Sequence, residues 1–186
     1  EFGNIEDFDE LLEGIHSRGM KLIMDLVVNH TSDENEWFKK AVDQPDSQYG
    51  NYYIFRDKPN NWTSFFSGSA WKHIDERNQY ALHLFSKKQM DLNWDNPTLR
   101  NEIKDMIRWW LQKGVDGFRM DVINYISKRE GLPEGNEKIG ELMGYYGVEH
   151  YFYGPHLHEY LREIKNEAFK PFEAFSVGET PGIGME

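Results

Sequence analysis

Apolar residues recur at helical spacing over residues 5–18, where Ile5, Phe8, Leu11, Leu12 and Ile15 share one face. Gly19 is placed as a stop. A mostly apolar run from Lys21 to Val28 follows, interrupted only by Asp25. A run of this kind predicts a strand buried on both faces, as in a parallel sheet. The unit then returns. Asn96-Pro97 is a helix start with Pro at the first position, and Leu99, Ile103, Met106, Ile107, Trp110 and Leu111 continue the stripe. Gly114 ends that helix, and Val115 to Val122 form the next strand. A third pass runs from Pro155 through Leu157, Tyr160, Leu161 and Ile164, then on to a strand at Phe175 to Gly178, with a looser helix end. Alternating helices and strands predict an α/β fold around a parallel sheet, whose ligands sit at the carboxyl ends of the strands.

Two stretches break this rhythm. Thr31 to Trp94 holds a short helical piece (Asn35 to Val42), turn signals at Pro45, Tyr49-Gly50-Asn51 and Pro59-Asn60-Asn61, and one strand-like segment, Tyr80 to Phe85. It reads as a small subdomain inserted after the first strand. Residues 128–154 are Gly-rich and polar and read as a long strand-to-helix excursion, a place where function or specificity is commonly carried. The domain organisation is therefore 1–29, an inserted subdomain at 30–95, and 96–186.

Composition narrows the function. A net charge of -11 over 186 residues opposes binding to nucleic-acid phosphates or an anionic membrane surface. No apolar run reaches the length of a membrane span. The absence of cysteine removes disulfides and thiol chemistry and fits a reducing, cytoplasmic setting. Aromatic residues make up 15% of the chain, and many lie in polar, loop-like sequence, among them Trp37, Tyr52, Tyr53, Trp62, Phe65, Phe66 and Trp71. Such rings suit an amphipathic ligand such as a sugar, or else form the core of a loop-rich subdomain.

The chemistry concentrates where strands end on acids. Gly117-Phe118-Arg119-Met120-Asp121-Val122-Ile123-Asn124 stops at Asp121, and Ser176-Val177-Gly178-Glu179-Thr180 stops at Glu179. Acids are poor strand residues, so a short apolar run that closes on one needs a reason. Two acids at neighbouring strand ends can divide the cleavage of a glycosidic bond, one attacking the anomeric carbon and the other protonating the leaving oxygen. Arg119, two residues before Asp121, shares its side of the strand. Asp25 and His30 close the first strand in Asp25-Leu26-Val27-Val28-Asn29-His30. His156 and His158 lie on different faces of a helix, and residues 32–36 lack calcium-loop spacing, so no metal site is expected. Two glycosylation sequons, at Asn29 and Asn61, read as accidental.

Four blocks together resemble the α-amylase superfamily of retaining glycoside hydrolases: Asp25 to His30, Gln89-Met90-Asp91-Leu92-Asn93-Trp94, Gly117 to Asn124, and Gly178-Glu179-Thr180. Their order and spacing match, and the resemblance spans essentially the whole chain. Within the superfamily the chain is most similar to oligo-1,6-glucosidases and related bacterial α-glucosidases, through Asn60-Asn61-Trp62, Phe66 to Trp71 and Leu82 to Gln89. Met90 stands where that group more often has Pro. The resemblance implies strands three, four and five of a TIM (β/α)8 barrel with a subdomain inserted after strand three. It implies Asp121 as nucleophile and Glu179 as general acid/base, without a cofactor. It further implies substrate contacts from Asp25, His30, Phe66, Phe85, Gln89, Arg119 and Val122. Val122, directly after the nucleophile, implies a preference for α-1,6 bonds and hence a small oligosaccharide as the partner. Trehalose 6-phosphate, sucrose and α-1,4-linked glucosides stay open as alternatives, as does a non-catalytic, transporter-associated relative. An acid that must hold its proton near neutral pH is expected to have weaker compensation than Asp121. A barrel of this type takes about 250 residues, so the chain reads as a segment of a longer enzyme, inactive when made alone. The sequence leaves oligomeric state open.

Overall fold

The computed structural model describes residues 3–182; positions 1, 2 and 183–186 of the two outer segments lie outside the described residues. Helix α1 (Ile5–His16) starts from Asn4, whose side chain accepts from the Asp7 amide while Asp7 reaches back to Asn4. Strand β1 (Ile23–Leu26) follows. Helix α3 (Pro97–Lys113) begins at Asn96-Pro97 and ends on Gly114 in the left-handed conformation, φ 108°. It delivers strand β7 (Gly117–Met120). Helix α5 (Leu157–Ile164) runs on through a π turn and a 3-10 turn to residue 172 before strand β8 (Phe175–Gly178). Glu173, not a glycine, takes the left-handed turn here at φ 51°, which is why the third helix end was looser in sequence.

β1, β7 and β8 form one parallel sheet with β7 in the middle. Ile23 pairs with Gly117 and Asp25 with Arg119. Gly117 pairs in turn with Phe175, and Arg119 with Val177. Gly117 is required by close approach: a Cβ there would lie 2.1 Å from the Phe175 carbonyl oxygen. Alternation then sorts the sheet into two faces. Leu26, Val28 and Phe118 turn to the helices and are buried with Ile103, Ile107, Leu111, Ile164 and Phe169. Ile23, Asp25, Val27, Arg119, Phe175 and Val177 occupy the other face. The apolar members of that face are 44–59% exposed. Among the described residues nothing covers this face of β1, which the sequence predicts to be buried. β1 is also shorter than Lys21 to Val28, because β7 pairs with only four of its residues.

Between β1 and α3 the chain builds two small antiparallel sheets. Strand β2 (His30–Ser32) pairs with β6 (Gln89–Asp91), so the chain leaves and re-enters the main body at one place. Strands β3 (Phe55–Arg56), β4 (Trp71–Ile74) and β5 (Gln79–Leu82) form the second, with β5 central, and helix α2 (Glu36–Asp43) is capped by Asn35. Tyr52, Tyr53, Trp62 and Trp71 are buried, so most of the unusual aromatic content is core. The 128–154 excursion carries helix α4 (Glu137–Met143) and is fastened to the insert. Asn61 exchanges hydrogen bonds with Gly135 in both directions, and Trp62 Nε1 donates to the Pro133 carbonyl at 2.9 Å.

Candidate active site

One face of the parallel sheet collects three carboxylates around a single guanidinium. Arg119 Nη1 donates to Asp25 Oδ1 at 3.0 Å and to Asp121 Oδ1 at 2.9 Å. Its Nη2 lies 2.8 Å from Glu179 Oε2. Register produces this meeting: Asp25 and Arg119 are paired across β1 and β7, and Asp121 is two residues beyond Arg119 on the same face. Its hydrogen bonds to Asp25 and Asp121, with Glu179 beside them, raise the Arg119 pKa above its ordinary value, so its charge is fixed. Glu179 is not the weakly compensated acid expected from sequence. It contacts Arg119, and its Oε2 also accepts from the Val122 amide at 3.4 Å. The reason is geometric: Asp121 and Glu179 end neighbouring strands on one face, so a forked cation on β7 reaches both.

His30 sits beside this cluster, buried at the start of β2. Gln89 Nε2 lies 2.9 Å from its Nε2, and Asn29 Nδ2 lies 3.3 Å from its Nδ1. Each amide is fixed by its oxygen: Gln89 Oε1 accepts from the Ser86 amide, and Asn29 Oδ1 from Lys128 Nζ. A neutral imidazole can accept from one of these amides through its unprotonated nitrogen, whereas an imidazolium can accept from neither. Burial, with help from Lys128, lowers the His30 pKa against the pull of Asp91 and Asp121. Phe85 packs on the His30 ring at 5.2 Å, and Phe66 meets Phe85 edge-on at 6.1 Å. Phe66 is 66% exposed at the rim. Val122 turns its side chain into the cluster of Trp62, Trp71, Leu82, Leu84 and Tyr125, and 8% of it stays exposed. All nine residues singled out from sequence thus fall in one region.

Three others were missed. Lys128 Nζ lies 2.8 Å from Asp91 Oδ2, and both side chains are buried. Asn29 joins them, donating to Asp91 at 3.0 Å and accepting from Lys128 at 2.9 Å. This knot ties the end of β1, strand β6 and the loop after β7 beneath His30. The available signal was a lysine just after the mostly apolar stretch Val122 to Ile126. Asn29 is fully covered, so its sequon is sterically unusable. His156 instead faces Glu159, and His158 faces Tyr153.

Two carboxylates thus end adjacent parallel strands of an α/β scaffold and share one arginine. The Alpha amylase, catalytic domain family matches residues 1–184, and the chain belongs to that family. It is 50% identical to an oligo-1,6-glucosidase of Bacillus cereus, an alignment taking in 100% of this chain and 34% of the relative. Among solved structures, the trehalose-6-phosphate hydrolase of Bacillus licheniformis superposes with a TM-score of 0.92 at 43% identity, over 98% of this chain and 33% of that one. The E254Q mutant of MutB in complex with sucrose gives 0.92 at 42% identity, again over 98% and 33%. The chain spans about a third of the length of the curated relatives it matches.

Proposed function

We propose that this chain is the segment of a retaining α-glucosidase that carries its nucleophile and its general acid/base. In this reading residues 1–29 and 96–186 supply strands three to five of a TIM barrel, and residues 30–95 are the inserted subdomain. The observation that carries the reading is the bridging of Asp121 and Glu179, on adjacent parallel strands, by Arg119. Asp121, aimed by Arg119, attacks the anomeric carbon and forms a β-glucosyl ester as the glycosidic bond breaks. Glu179 gives its proton to the departing oxygen. It then takes a proton from water as that water opens the ester, which restores both carboxyls and the α-configuration. Neutral His30 and the rings of Phe85 and Phe66 line the sugar side, with Gln89 holding His30.

Short α-1,6-linked glucosides are the proposed substrates. Val122 supports this through the family resemblance, and several relatives at 46–50% identity bear the name oligo-1,6-glucosidase. A cysteine-free chain fits a cytoplasmic enzyme. The 186 residues alone are expected to be inactive, since the sheet face bearing the acids is open to water. The test uses the intact enzyme, incubated with isomaltose and maltose in parallel, with Asp121→Asn as blank. Faster glucose release from isomaltose, first as the α-anomer, supports the reading. Faster release from maltose discards the linkage, and turnover in the blank discards the mechanism.

A further inference from the structure

Val122 stands directly after Asp121 with φ 38° and ψ 39°. The left-handed region is costly for any residue with a Cβ and worst for a β-branched one. A valine held there marks a site where the surroundings impose the conformation, and such residues gather at functional sites. Strand β7 stays bonded on both sides up to this point: the Asp121 amide donates to Leu26 O at 3.0 Å, and the Glu179 amide to Met120 O at 2.9 Å. The turn at Val122 then swings the next two amides toward the end of β8. Val122 N–H donates to Glu179 Oε2 at 3.4 Å, and Ile123 N–H donates to Glu179 O at 3.2 Å. Two successive N–H groups thus reach two different oxygens of one residue, the carboxyl and the main-chain carbonyl of Glu179. Gly178 makes room for this approach, since a Cβ there would lie 3.3 Å from Ile123 Cγ2.

We infer that the backbone of Val122 is a positioning element for Glu179: its left-handed amide orients the acid's carboxyl, while its side chain anchors the turn in the insert's aromatic cluster. This rests on the reading of Glu179 as general acid/base. Arg119 cannot supply the same orientation alone, because it is shared among three carboxylates. The Val122 amide is committed to Glu179 and is fixed to the strand that carries Asp121. Spacing between the two acids is then set within one turn of main chain.

The test removes the N–H and nothing else. In the intact enzyme, Val122 is replaced by its α-hydroxy acid through nonsense suppression, which turns that amide into an ester. Two substrates are compared: isomaltose, whose leaving oxygen needs a proton, and α-glucosyl fluoride, whose leaving group needs little help. A misplaced acid lowers kcat on isomaltose at least tenfold more than on the fluoride. In the intact enzyme labelled with 15N-valine, the Val122 amide proton resonance moves upfield in Glu179→Ala, because the acceptor of its N–H is gone. Equal losses on both substrates in the ester variant would overturn the inference. So would a Val122 amide resonance left unmoved by Glu179→Ala, an arm that decides the matter even where the ester variant does not fold. Turnover of either substrate by Asp121→Asn would overturn the underlying mechanism, and the inference with it.

Discussion

Arg119 holds Asp121 at 2.9 Å from the same guanidinium nitrogen that holds Asp25 at 3.0 Å, across two strands of one sheet. The planar fork binds carboxylates in fixed directions, and an ammonium on a flexible stem cannot serve the same acids together. Arg119→Lys is therefore expected to lower kcat of the intact enzyme by about a hundredfold, the scale of losing one preorganised electrostatic contact. KM should change far less. Steady-state kinetics on isomaltose checks this.

Lys128 and Asp91 form a buried pair. Removing one partner of such a pair leaves an uncompensated charge and costs about 3 to 5 kcal/mol. Lys128→Met should lower the melting temperature sharply. Lys128→Met combined with Asp91→Asn should recover part of the loss, because the stranded charge is gone. Thermal melts of the two variants beside the parent measure it.

Asp116 receives hydrogen bonds from Lys21, the Leu22 amide and His16, where α1, β1 and β7 meet. Burial alone would raise its pKa, but these donors outweigh it and bring the value down to about 2. A carboxyl depressed on folding stabilises fully above its unfolded pKa, about 3.9. That stabilisation is lost as pH falls through about 2. Asp116→Asn should cost about 1 to 2 kcal/mol at neutral pH, allowing for solvent screening. The difference from the parent should close between about pH 4 and pH 2. Urea titrations across that range test it.

His30 titrates below its ordinary value because burial disfavours the cation. The folded state then binds fewer protons than the unfolded one just below pH 6.5, so this group's contribution to stability falls as the solution is acidified. In histidine-labelled enzyme observed by NMR, its ring should titrate below the ordinary histidine value. Gln89→Glu, which places an acceptor 2.9 Å from Nε2, should move the titration upward.

Much of this site was legible in sequence because it obeys local rules. Asn96-Pro97 and Gly114 bound α3 as expected, and β7 and β8 end where an acid interrupts an apolar run. What escaped depends on distant partners. Strand β4 lacks clear alternation, since Trp71 and Ile74 are both buried while Lys72 and His73 face outward, and its register is set by β5. Lys128 lay in a stretch read as polar excursion, and only the meeting with Asp91, far along the chain, makes it a core residue. The left-handed turn at Val122 runs against valine's own preference, so no propensity could announce it. The exposure of Ile23 and Phe175 was hidden for a related reason: an apolar run reports that a face is fit for burial, not what covers it.

In the proposed mechanism Asp121 attacks the sugar and Glu179 moves the proton. The most direct measurement is to incubate the intact enzyme with 5-fluoro-α-glucosyl fluoride, whose glucosyl-enzyme ester turns over slowly, and to map the added mass after proteolysis. The account predicts one fluoroglucosyl group on Asp121 and none in Asp121→Asn. Label on Glu179, or a fully active enzyme that never carries label, would contradict it.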